Sequence, residues 1–397
     1  MNKRIAIVGQ GYVGLPLAIE AAKSNYSVIG IDIDLDKVSK LNSSISPVED
    51  VLESDIREQI ITGKYAATDN FAEIFKSDIV IICVPTPLDK DGRPNLDFLL
   101  DATINVGKHL SKDTLVIIES TVAPGTTREI LLPLLIKFSN KRSSDFLVAF
   151  SPERIDPNNS VWKVKNTPKL VSGLTDEALN VAVDFYSKFI DTITKCSSVE
   201  IAETAKLLEN SFRLINISFI NEISIFCNKM GINVEEVISA ASTKPYGFMP
   251  FYPSIGIGGH CIPVDPIYLA SKAKEIGVSI SLIDLADKVN HEIPIYFVSR
   301  AEEKIAGLKD KKVLVVGVSY KPNVADVRET PVEALIFGLK NKGAHVFWHD
   351  DLVKDWNGER SVPLSSDFDL AVIATPHDYL DLTKLGDMPI LNTRGSI

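Results

Sequence analysis

The chain has 397 residues, of which 45% are apolar and 24% are charged, so it is long enough for two or three globular domains and its composition excludes disorder. Its formal net charge of −10 argues against nucleic acid as a partner, because a negative surface repels phosphate backbones. No apolar run approaches the roughly 20 residues that span a bilayer, so no membrane partner is expected. The four cysteines without a C-x-x-C pair fit free thiols in a reducing cytosol, so we expect a cytoplasmic protein.

Short apolar runs separated by helical periodicity fill the first part of the chain. Two strands are predicted at residues 4–9 and 27–33, with an amphipathic helix from about 14 to 24 between them. Later apolar runs without polar alternation lie at residues 79–84, 115–119 and 146–150. Unalternated strands that are separated by helices indicate a parallel sheet covered on both faces.

The middle of the chain is predicted to be helical. One long helix is expected from about 199 to 230, and more helical periodicity, at 233–243 and from about 265 to 305, flanks a loop rich in Gly and Pro. From Lys311 onward the apolar pattern of the first segment returns. We therefore predict an α/β fold with two Rossmann-like doubly wound domains joined by a central helical domain with one long helix. The predicted domains are 1–195, 196–305 and 306–397.

A glycine motif of the pattern G-x-G-x-x-G, at residues 9–14, connects the first predicted strand to the first predicted helix. Gly9 permits a tight turn, Gly11 lets the backbone approach a pyrophosphate, and Gly14 lets helix and strand pack closely. Asp32, at the end of the next strand, can accept hydrogen bonds from both ribose hydroxyls and would repel a 2′-phosphate. The first domain is therefore predicted to bind NAD rather than NADP, through Gly9, Gly11, Tyr12, Val13, Gly14 and Asp32.

The third segment keeps only the first of these glycines, as Gly317, so a second NAD is not expected there. Three cations in this segment, Lys321, Arg328 and Arg394, suit a diphosphate or a carboxylate, because Arg offers a planar fork of donors and Lys a point charge. A solvated surface charge is the alternative for each of them.

The most distinctive stretch is a loop at residues 256–266, in which glycines precede Cys261 and prolines follow it. A rigid polar loop favours a nucleophilic cysteine, whereas a structural cysteine normally lies in an apolar strand or helix. Lys206 and Asn210 are four residues apart on the long helix and share one face, where their donors could stabilise an oxyanion. An exposed helix face is the alternative for this pair. The four cysteines form no C-x-x-C pair, so neither a disulfide framework nor a metal site is expected.

Together these motifs resemble the UDP-glucose/GDP-mannose dehydrogenase family from one end of the chain to the other. The stretch 258–266 looks like the branch that acts on UDP-N-acetylhexosamines, and the stretch 243–253 looks most like UDP-N-acetylglucosamine 6-dehydrogenases. The motifs that carry the resemblance are the fingerprint at 9–14, V-P-T-P at 84–87, E-S-T-V at 119–122, S-P-E-R at 151–154, Lys206 with Asn210, the Cys261 loop, and Tyr320-Lys321 with Asp326-x-Arg328.

The resemblance implies an NAD-dependent, four-electron oxidation of the C6 hydroxyl of a UDP-N-acetylhexosamine to a carboxylate, in the synthesis of surface polysaccharides or glycans. Cys261 would add to a C6 aldehyde to form a thiohemiacetal, and a second hydride transfer would leave a thioester that water hydrolyses. The first predicted domain would bind NAD, the second would carry the cysteine loop and the interface of a homodimer or higher oligomer, and the third would bind UDP.

The resemblance also implies roles for individual residues. The implied catalytic residues are Cys261, Lys206, Asn210, Asp265, Glu153 and Thr121. The implied NAD contacts beyond the fingerprint and Asp32 are Lys37, Thr86 and Thr121. The implied substrate contacts are Glu153, Arg154, Lys206, Asn210, Phe251, Tyr252, Gly258, Lys321, Arg328 and Arg394.

Two positions depart from the family pattern. UDP-glucose dehydrogenases usually carry a second glutamate four residues after the glutamate of the Pro-Glu motif. Here that position is Pro157, which removes a possible base and weakens the case for UDP-glucose. Ser254 stands where the N-acetylhexosamine branch usually has a glycine, and because serine lacks the conformational freedom of glycine we expect the substrate loop to differ in shape from that branch.

Several alternatives stay open on the sequence. The sugar could be UDP-N-acetylmannosamine, UDP-N-acetylgalactosamine or UDP-glucose, and a catalytically silent nucleotide-sugar-binding protein would keep the same domains. A β-hydroxyacid dehydrogenase would share the Lys/Asn pair but would not need Cys261. Tyr268 and Lys272 match the Tyr-x-x-x-Lys of short-chain dehydrogenases only literally, and His345 and His349 are too far apart on a strand, roughly 13 Å, to share a metal ion.

Overall fold

The computed structural model describes residues 3–48, 50–156, 159 and 161–394, and the chain divides into two compact units, Met1–Leu208 and Glu209–Ile397. The strands of the first unit are β1 (Arg4–Val8), β2 (Ser27–Ile31), β3 (Tyr65–Thr68), β4 (Ile79–Ile82), β5 (Leu115–Ile118), β6 (Leu147–Phe150), β7 (Lys169–Gly173) and β8 (Ile193–Lys195). They form one sheet with the order β3-β2-β1-β4-β5-β6-β7-β8. Neighbouring strands are parallel, except that β6 and β7 are antiparallel.

Both faces of this sheet are buried, as the unalternated apolar strands predict. Along β1, Ile5 and Ile7 belong to one core cluster and Ala6 and Val8 to the other, because successive side chains point to opposite faces. The covering helices are α1 (Gly14–Lys23), α2 (Leu35–Asn42), α3 (Glu53–Ile61), α4 (Asp97–His109), α5 (Leu132–Ser139) and α6 (Asp176–Tyr186), with short 3₁₀ or π turns at Phe71–Lys76, Thr127–Leu131 and Ser143–Asp145.

The long helix α7 (Val199–Met230) runs from the first unit into the second. The second unit continues with α8 (Val234–Ser242), α9 (Asp265–Glu275), α10 (Ser281–Lys304), β9 (Lys312–Val316), α11 (Val332–Asn341), β10 (His345–His349), β11 (Asp355–Trp356), β12 (Glu359–Arg360), β13 (Leu370–Ile373), a 3₁₀ turn (Leu382–Leu385) and β14 (Ile390–Asn392). Its sheet has the parallel order β10-β9-β13-β14, and β11 and β12 form a separate antiparallel ladder.

The predicted fold class is confirmed, with two parallel α/β sheets and a helical middle that contains one long helix. The stretch predicted as helical from about 265 to 305 consists of two helices. Gly277, with a φ of 78°, ends the first of them, and the N–H of Val278 bonds back to the carbonyl of Ala273 at 2.8 Å. The division into three domains stays a prediction, because the two compact units separate within α7. In the described part of the chain, no helix is long and apolar enough to cross a bilayer.

Candidate active site

The glycine loop of the first unit has the geometry of a dinucleotide-binding turn. Gly9 has a φ of 92°, and a Cβ added at Gly14 would collide with the Gly9 carbonyl oxygen. A Cβ added at Gly11 would meet no atom within 4 Å, so the space over the middle of the loop is open. Helix α1, which follows Tyr12 and Val13, has neither an acidic residue in its first turn nor a side-chain cap. Its N-terminus can therefore hold a diphosphate through backbone N–H groups and the helix dipole.

Asp32 holds this loop in place from the end of β2. It is 7% exposed, and its Oδ2 accepts hydrogen bonds from the Gln10 N–H at 2.8 Å and from Lys37 Nζ at 2.8 Å. Its Oδ1 accepts the N–H of Asp34 at 3.0 Å. A fixed carboxylate beside the open glycine loop suits the ribose of a dinucleotide. The residues present therefore fit NAD. Lys37, another predicted NAD contact, forms an ion pair with the Asp32 carboxylate.

The loop after β4 lies at the point where the strand order reverses, between β1 and β4, which is where open α/β sheets bind their ligands, and the loop after the neighbouring strand β5 lies beside it. Ser120 Oγ accepts the N–H of Val84 at 3.0 Å and donates to the Val84 carbonyl oxygen at 2.8 Å. This pair of hydrogen bonds ties the two loops together. Thr86 and Thr121, both predicted NAD contacts, are half-buried in these two loops.

Glu153 belongs to a cluster of charges that the sequence did not predict. Its Oε1 accepts the N–H groups of Arg154 and Ile155, each at 2.6 Å, and its Oε2 lies 3.3 Å from Lys169 Nζ. Lys169 also lies 3.2 Å from Glu119 Oε2. In the sequence, this cluster is indicated only by charged residues at the ends of two apolar strands. Glu119 directly follows β5, and Lys169 is the first residue of β7. Arg154, a predicted substrate contact, donates to the carbonyl oxygen of Pro168 at 2.7 Å.

Cys261 differs from the other cysteines of the chain. It is half-buried in the loop before α9, whereas Cys83, Cys196 and Cys227 are buried. Burial raises the pKa of the Cys83 and Cys196 thiols, so these two are inert at neutral pH. Cys261 Sγ lies 3.1 Å from Nδ1 of His260, a neighbour to which the sequence reasoning gave no role. An imidazole at this distance can take up the proton of the thiol.

The predicted Lys/Asn pair is not on an exposed helix face. Lys206 and Asn210 are only 9% and 7% exposed on α7, which excludes a merely solvated face. Within the second unit, Asn210 Nδ2 donates to Asp265 Oδ2 at 2.6 Å. Asp265 is 2% exposed and is the first residue of α9, four residues after Cys261. The structure therefore brings two of the predicted catalytic residues, Asn210 and Asp265, into direct contact.

Two asparagines outside the predicted set fix the segment before Cys261. Asn290 of α10 accepts the N–H of Ile257 at 2.6 Å and donates to its carbonyl oxygen at 3.1 Å. Asn221 of α7 accepts the N–H of Ser254 at 2.9 Å. Both side chains are buried. Sequence reasoning missed them because a buried asparagine in an amphipathic helix gives no motif.

The glycines before Cys261 allow close packing against the loop that follows β9. Gly259 has a φ of 81°, and a Cβ there would lie 2.9 Å from the Tyr320 ring. The N–H of Gly259 donates to the carbonyl oxygen of Arg328 at 3.0 Å. Gly258, a predicted substrate contact, is buried, and a Cβ there would lie 2.9 Å from Tyr320 Cβ. The cysteine loop and the loops that carry Tyr320 and Arg328 therefore form one packed structure.

The aromatic residues predicted for the sugar pocket lie on the loop between α8 and α9. Phe251 packs edge-on against Phe212 of α7, with ring centroids 5.7 Å apart, whereas Tyr252 is 60% exposed. Ser254 does not adopt a positive φ, and its Oγ exchanges hydrogen bonds with Gly256, donating to the carbonyl oxygen at 3.1 Å and accepting the N–H at 3.2 Å. The serine therefore fits the loop without the freedom of a glycine.

The three predicted UDP-binding cations differ in their surroundings. Arg328 is exposed, and its Nε lies 2.9 Å from Asp326 Oδ1. Partial burial would raise the pKa of Asp326, but the Arg328 guanidinium outweighs this effect and holds that pKa below its ordinary value. Lys321 is half-buried in the loop after β9, and Arg394 is exposed near the end of the described residues.

Other sequence patterns gain no support. Tyr268 is fully buried, and Lys272 forms an ion pair with Glu275 at 3.1 Å, an arrangement unlike the open pair of a short-chain dehydrogenase. Pro157, one of the two departures from the family pattern, lies outside the described residues. Within the described ranges, no group of three or more His, Cys, Asp and Glu side chains is placed to hold a metal ion.

Comparison with known proteins agrees with this arrangement. Models of the UDP-glucose/GDP-mannose dehydrogenase family match the NAD binding domain at residues 3–190, the central domain at 200–292 and the UDP binding domain at 314–392. The chain is 40% identical over 341 residues to a UDP-N-acetyl-D-glucosamine 6-dehydrogenase of Pseudomonas aeruginosa, with 84% of this chain and 79% of that protein covered.

A second relative is a UDP-N-acetyl-D-mannosamine dehydrogenase of Pyrococcus horikoshii, 34% identical over 379 residues, with 94% and 89% of the two chains covered. A solved structure of a UDP-D-ManNAc dehydrogenase from the same organism matches with a TM-score of 0.90 and 33% identity, over 99% of this chain and 96% of that chain. The chain therefore belongs to the UDP-glucose/GDP-mannose dehydrogenase family and is an NAD-dependent UDP-sugar dehydrogenase.

Proposed function

We propose that the protein oxidises the C6 hydroxyl of a UDP-N-acetylhexosamine, with UDP-N-acetylglucosamine as the best candidate, to the uronate through a thioester on Cys261. The observation that carries this proposal is the setting of Cys261. It is the one half-buried cysteine among four that the structure describes, and it lies on a glycine-rich loop that leads directly into the Asn210–Asp265 pair. A two-electron alcohol dehydrogenase would have no use for a nucleophilic thiol there.

The proposed chemistry needs a nucleophile, donors for oxyanions and a group that handles water. Cys261 Sγ adds to the C6 aldehyde and forms a thiohemiacetal, and His260 takes up the thiol proton. Lys206 and Asn210 donate to the developing oxyanion, and Asp265 orients the Asn210 amide. The chemistry that NAD supplies is acceptance of one hydride in each of the two oxidations.

Thioester hydrolysis is assigned to Glu153 and Thr121. Glu153, whose Oε1 is fixed by two backbone N–H groups, takes a proton from the attacking water, and Thr121 helps to hold that water. Arg154, Phe251, Tyr252 and Gly258 are proposed to contact the substrate. Lys321, Arg328 and Arg394 are proposed to contact its diphosphate, because Arg and Lys donors suit phosphate oxygens. Lys37, Thr86 and the residue 9–14 loop are proposed to contact NAD.

The choice of N-acetylglucosamine rests on the relatives. A relative with 40% identity is named as a UDP-N-acetyl-D-glucosamine 6-dehydrogenase. Pro157 replaces the second glutamate that is usual for UDP-glucose, which weakens the case for that sugar. UDP-N-acetyl-D-mannosamine is the second candidate, because other relatives carry that name.

We also propose a homodimer built on α7 and a cytoplasmic location. Six large apolar residues on this helix are 45–61% exposed, at spacings of four and seven that keep them on one stripe, which suits pairing with a second copy. They are Ile201, Leu208, Phe212, Phe219, Phe226 and Met230.

The cytoplasmic location is supported by the cysteines. All four are free thiols, as is usual in a reducing compartment.

The deciding experiment supplies limiting UDP-N-acetylglucosamine with excess NAD and counts NADH formed per sugar consumed. Two NADH per sugar are expected, with the uronate as product. One NADH would contradict the thioester role of Cys261. No NADH with this sugar, but two with UDP-N-acetylmannosamine, would change the substrate and keep the chemistry. A Cys261→Ser variant is the control, and it is expected to form no uronate.

A further inference from the structure

Two carboxylates flank one ammonium group inside the first unit. Lys169 Nζ lies 3.2 Å from Glu119 Oε2 and 3.3 Å from Glu153 Oε2. The side chains are 0% exposed for Glu119, 6% for Lys169 and 15% for Glu153. The three groups therefore form a continuous polar chain that begins at a partly exposed carboxylate and ends at a fully buried one.

The charge of this cluster does not balance when all three groups are ionised. One ammonium faces two carboxylates, which leaves a net charge of −1 in a buried place where uncompensated charge is costly. A purely structural ion pair would need only one of the carboxylates. One additional proton removes the excess charge, and the question is which carboxyl group carries it.

The surroundings of Glu119 make it the group that binds this proton. Burial raises the pKa of Glu119 to about 7, while Lys169 opposes the rise and Glu153 adds to it. The Tyr186 hydroxyl donates to Glu119 Oε1, and Cys83 also lies close enough to interact with the cluster. Glu153 Oε1, by contrast, accepts two backbone N–H groups at 2.6 Å.

We infer that Glu119 and Lys169 form a proton relay for Glu153, in which Glu119 receives the proton that Glu153 takes up during the reaction. Neutral Glu153 gives a proton to Lys169 Nζ as Lys169 gives one of its own to the Glu119 carboxylate. The cluster then contains a Glu153 carboxylate, a Lys169 ammonium and a neutral Glu119. Protons and charge are conserved, and no other reactant is needed.

This relay rests on the proposed function, because it assumes that Glu153 takes a proton from the water or the sugar hydroxyl. Oxidation of an alcohol to a carboxylate releases protons at each stage, and a base that stays protonated cannot act twice. The chain has Pro157 where a second glutamate could have served. Glu119 is the second carboxylate here, and Lys169 connects it to Glu153. It is a positioning residue, since it acts through Glu153.

The test compares wild type with Glu119→Gln, which keeps the size and polarity of the side chain. Wild-type kcat is expected to fall as pH is lowered through about 7, because protonated Glu119 can accept no further proton. In Glu119→Gln this inflection is expected to disappear, and kcat at alkaline pH to fall about tenfold. Lys169→Met is expected to lose activity in the same way if it folds, which circular dichroism checks.

A readout without substrate separates the relay from the overall activity. Infrared spectroscopy of the wild-type protein is expected to show one buried protonated carboxyl band that vanishes as pH rises through about 7 and is absent in Glu119→Gln. Tyr186→Phe removes the donor to Glu119 Oε1, so both the infrared and the kinetic inflections should move to higher pH. A merely structural role for Tyr186 would lower stability and leave these inflections in place.

Two failures can be told apart. Two NADH per sugar from wild type, together with an unchanged pH profile in Glu119→Gln, would overturn the relay and leave the proposed function standing. No NADH from wild type with any UDP-hexosamine would overturn the proposed function. In that case the infrared band still tests whether Glu119 binds a proton near pH 7. Absence of the band would overturn the relay as well, and a band in wild type that is missing in Glu119→Gln would support it.

Discussion

Asn210 Nδ2 donates a hydrogen bond of 2.6 Å to Asp265 Oδ2, which joins the long helix α7 to the helix that begins directly after the cysteine loop. Both side chains are buried, with 7% and 2% exposed. A buried carboxylate that loses a hydrogen-bond donor loses part of the stabilisation of its charge. This contact therefore couples the stability of the helical region to the orientation of an amide that we assign to the oxyanion.

Replacing Asn210 with Ala is expected to lower both stability and turnover. The loss of the donor to buried Asp265 should destabilise the protein by about 1–3 kcal/mol, and loss of an oxyanion donor should lower kcat about 10²-fold. Thermal unfolding and steady-state kinetics measure the two effects. Asn216→Ala on the same helix is the matched control, since its amide donates to the carbonyl oxygen of Phe212 one turn earlier, and its kcat should stay near wild type. Equal kcat in both variants would contradict the role of Asn210.

The sequence was sufficient for the fold and for the parts of the site that depend on local motifs. The glycine loop and Asp32 were predictable because a tight turn and a ribose-binding carboxylate need particular residues at a fixed spacing. Cys261 was predictable because glycines and prolines surround it. Each of these signals lies within a short segment of the chain.

The remaining parts of the site depend on contacts between distant segments. Lys169 meets Glu119 because β5, β6 and β7 are neighbours in the sheet, and Asn290 meets Ile257 because α10 packs on the cysteine loop. Neither pair has a spacing or a periodicity that the sequence could reveal. The depth of burial, which excluded an exposed face for Lys206 and Asn210, also follows only from the packed structure.

His260 is expected to control the reactivity of Cys261. Its Nδ1 lies 3.1 Å from Sγ, so it can hold the proton that the thiol loses. His260→Ala should slow alkylation of Cys261 by iodoacetamide at neutral pH about tenfold. The other three cysteines are buried, and Cys261→Ser corrects for any reaction at them. An alkylation rate equal to that of wild type would show that His260 does not assist the thiol.

Asp32 is expected to determine the choice between NAD and NADP. Its replacement with Ser leaves one neutral acceptor in place of a carboxylate and loses the equivalent of one hydrogen bond to a charged group, about 1.5–3 kcal/mol, so the KM for NAD should rise roughly 10- to 100-fold. The barrier against a 2′-phosphate falls at the same time, and turnover with NADP should become measurable. Asp34→Ser is the matched control, because Asp34 is exposed and caps α2. Were both variants to keep wild-type KM values, Asp32 would not be a ribose ligand.

The exposed apolar stripe on α7 is expected to hold two copies of the chain together. Phe219, near its middle, is 58% exposed, and replacing it with Asp puts a charge in the contact. Sedimentation velocity should give a dimer for wild type and a monomer for Phe219→Asp. Arg213→Asp places the same new residue on an exposed position of α7 outside the stripe and should remain dimeric. A monomeric wild type would contradict the proposed dimer.

Gly259 is expected to link the cysteine loop to the loops that carry Tyr320 and Arg328, which we propose to bind UDP. Alanine at Gly259 has to accept a φ of 81° and a Cβ only 2.9 Å from the Tyr320 ring. Gly277→Ala is a matched control, with a φ of 78° and no atom within 4 Å of the added Cβ. Both variants should lose about 1–2 kcal/mol of stability from the backbone conformation alone. Only Gly259→Ala should also displace Tyr320, which lowers kcat and raises the KM for the UDP-sugar. If thermal unfolding and kinetics change equally in the two variants, the packing between Gly259 and Tyr320 has no part in substrate binding.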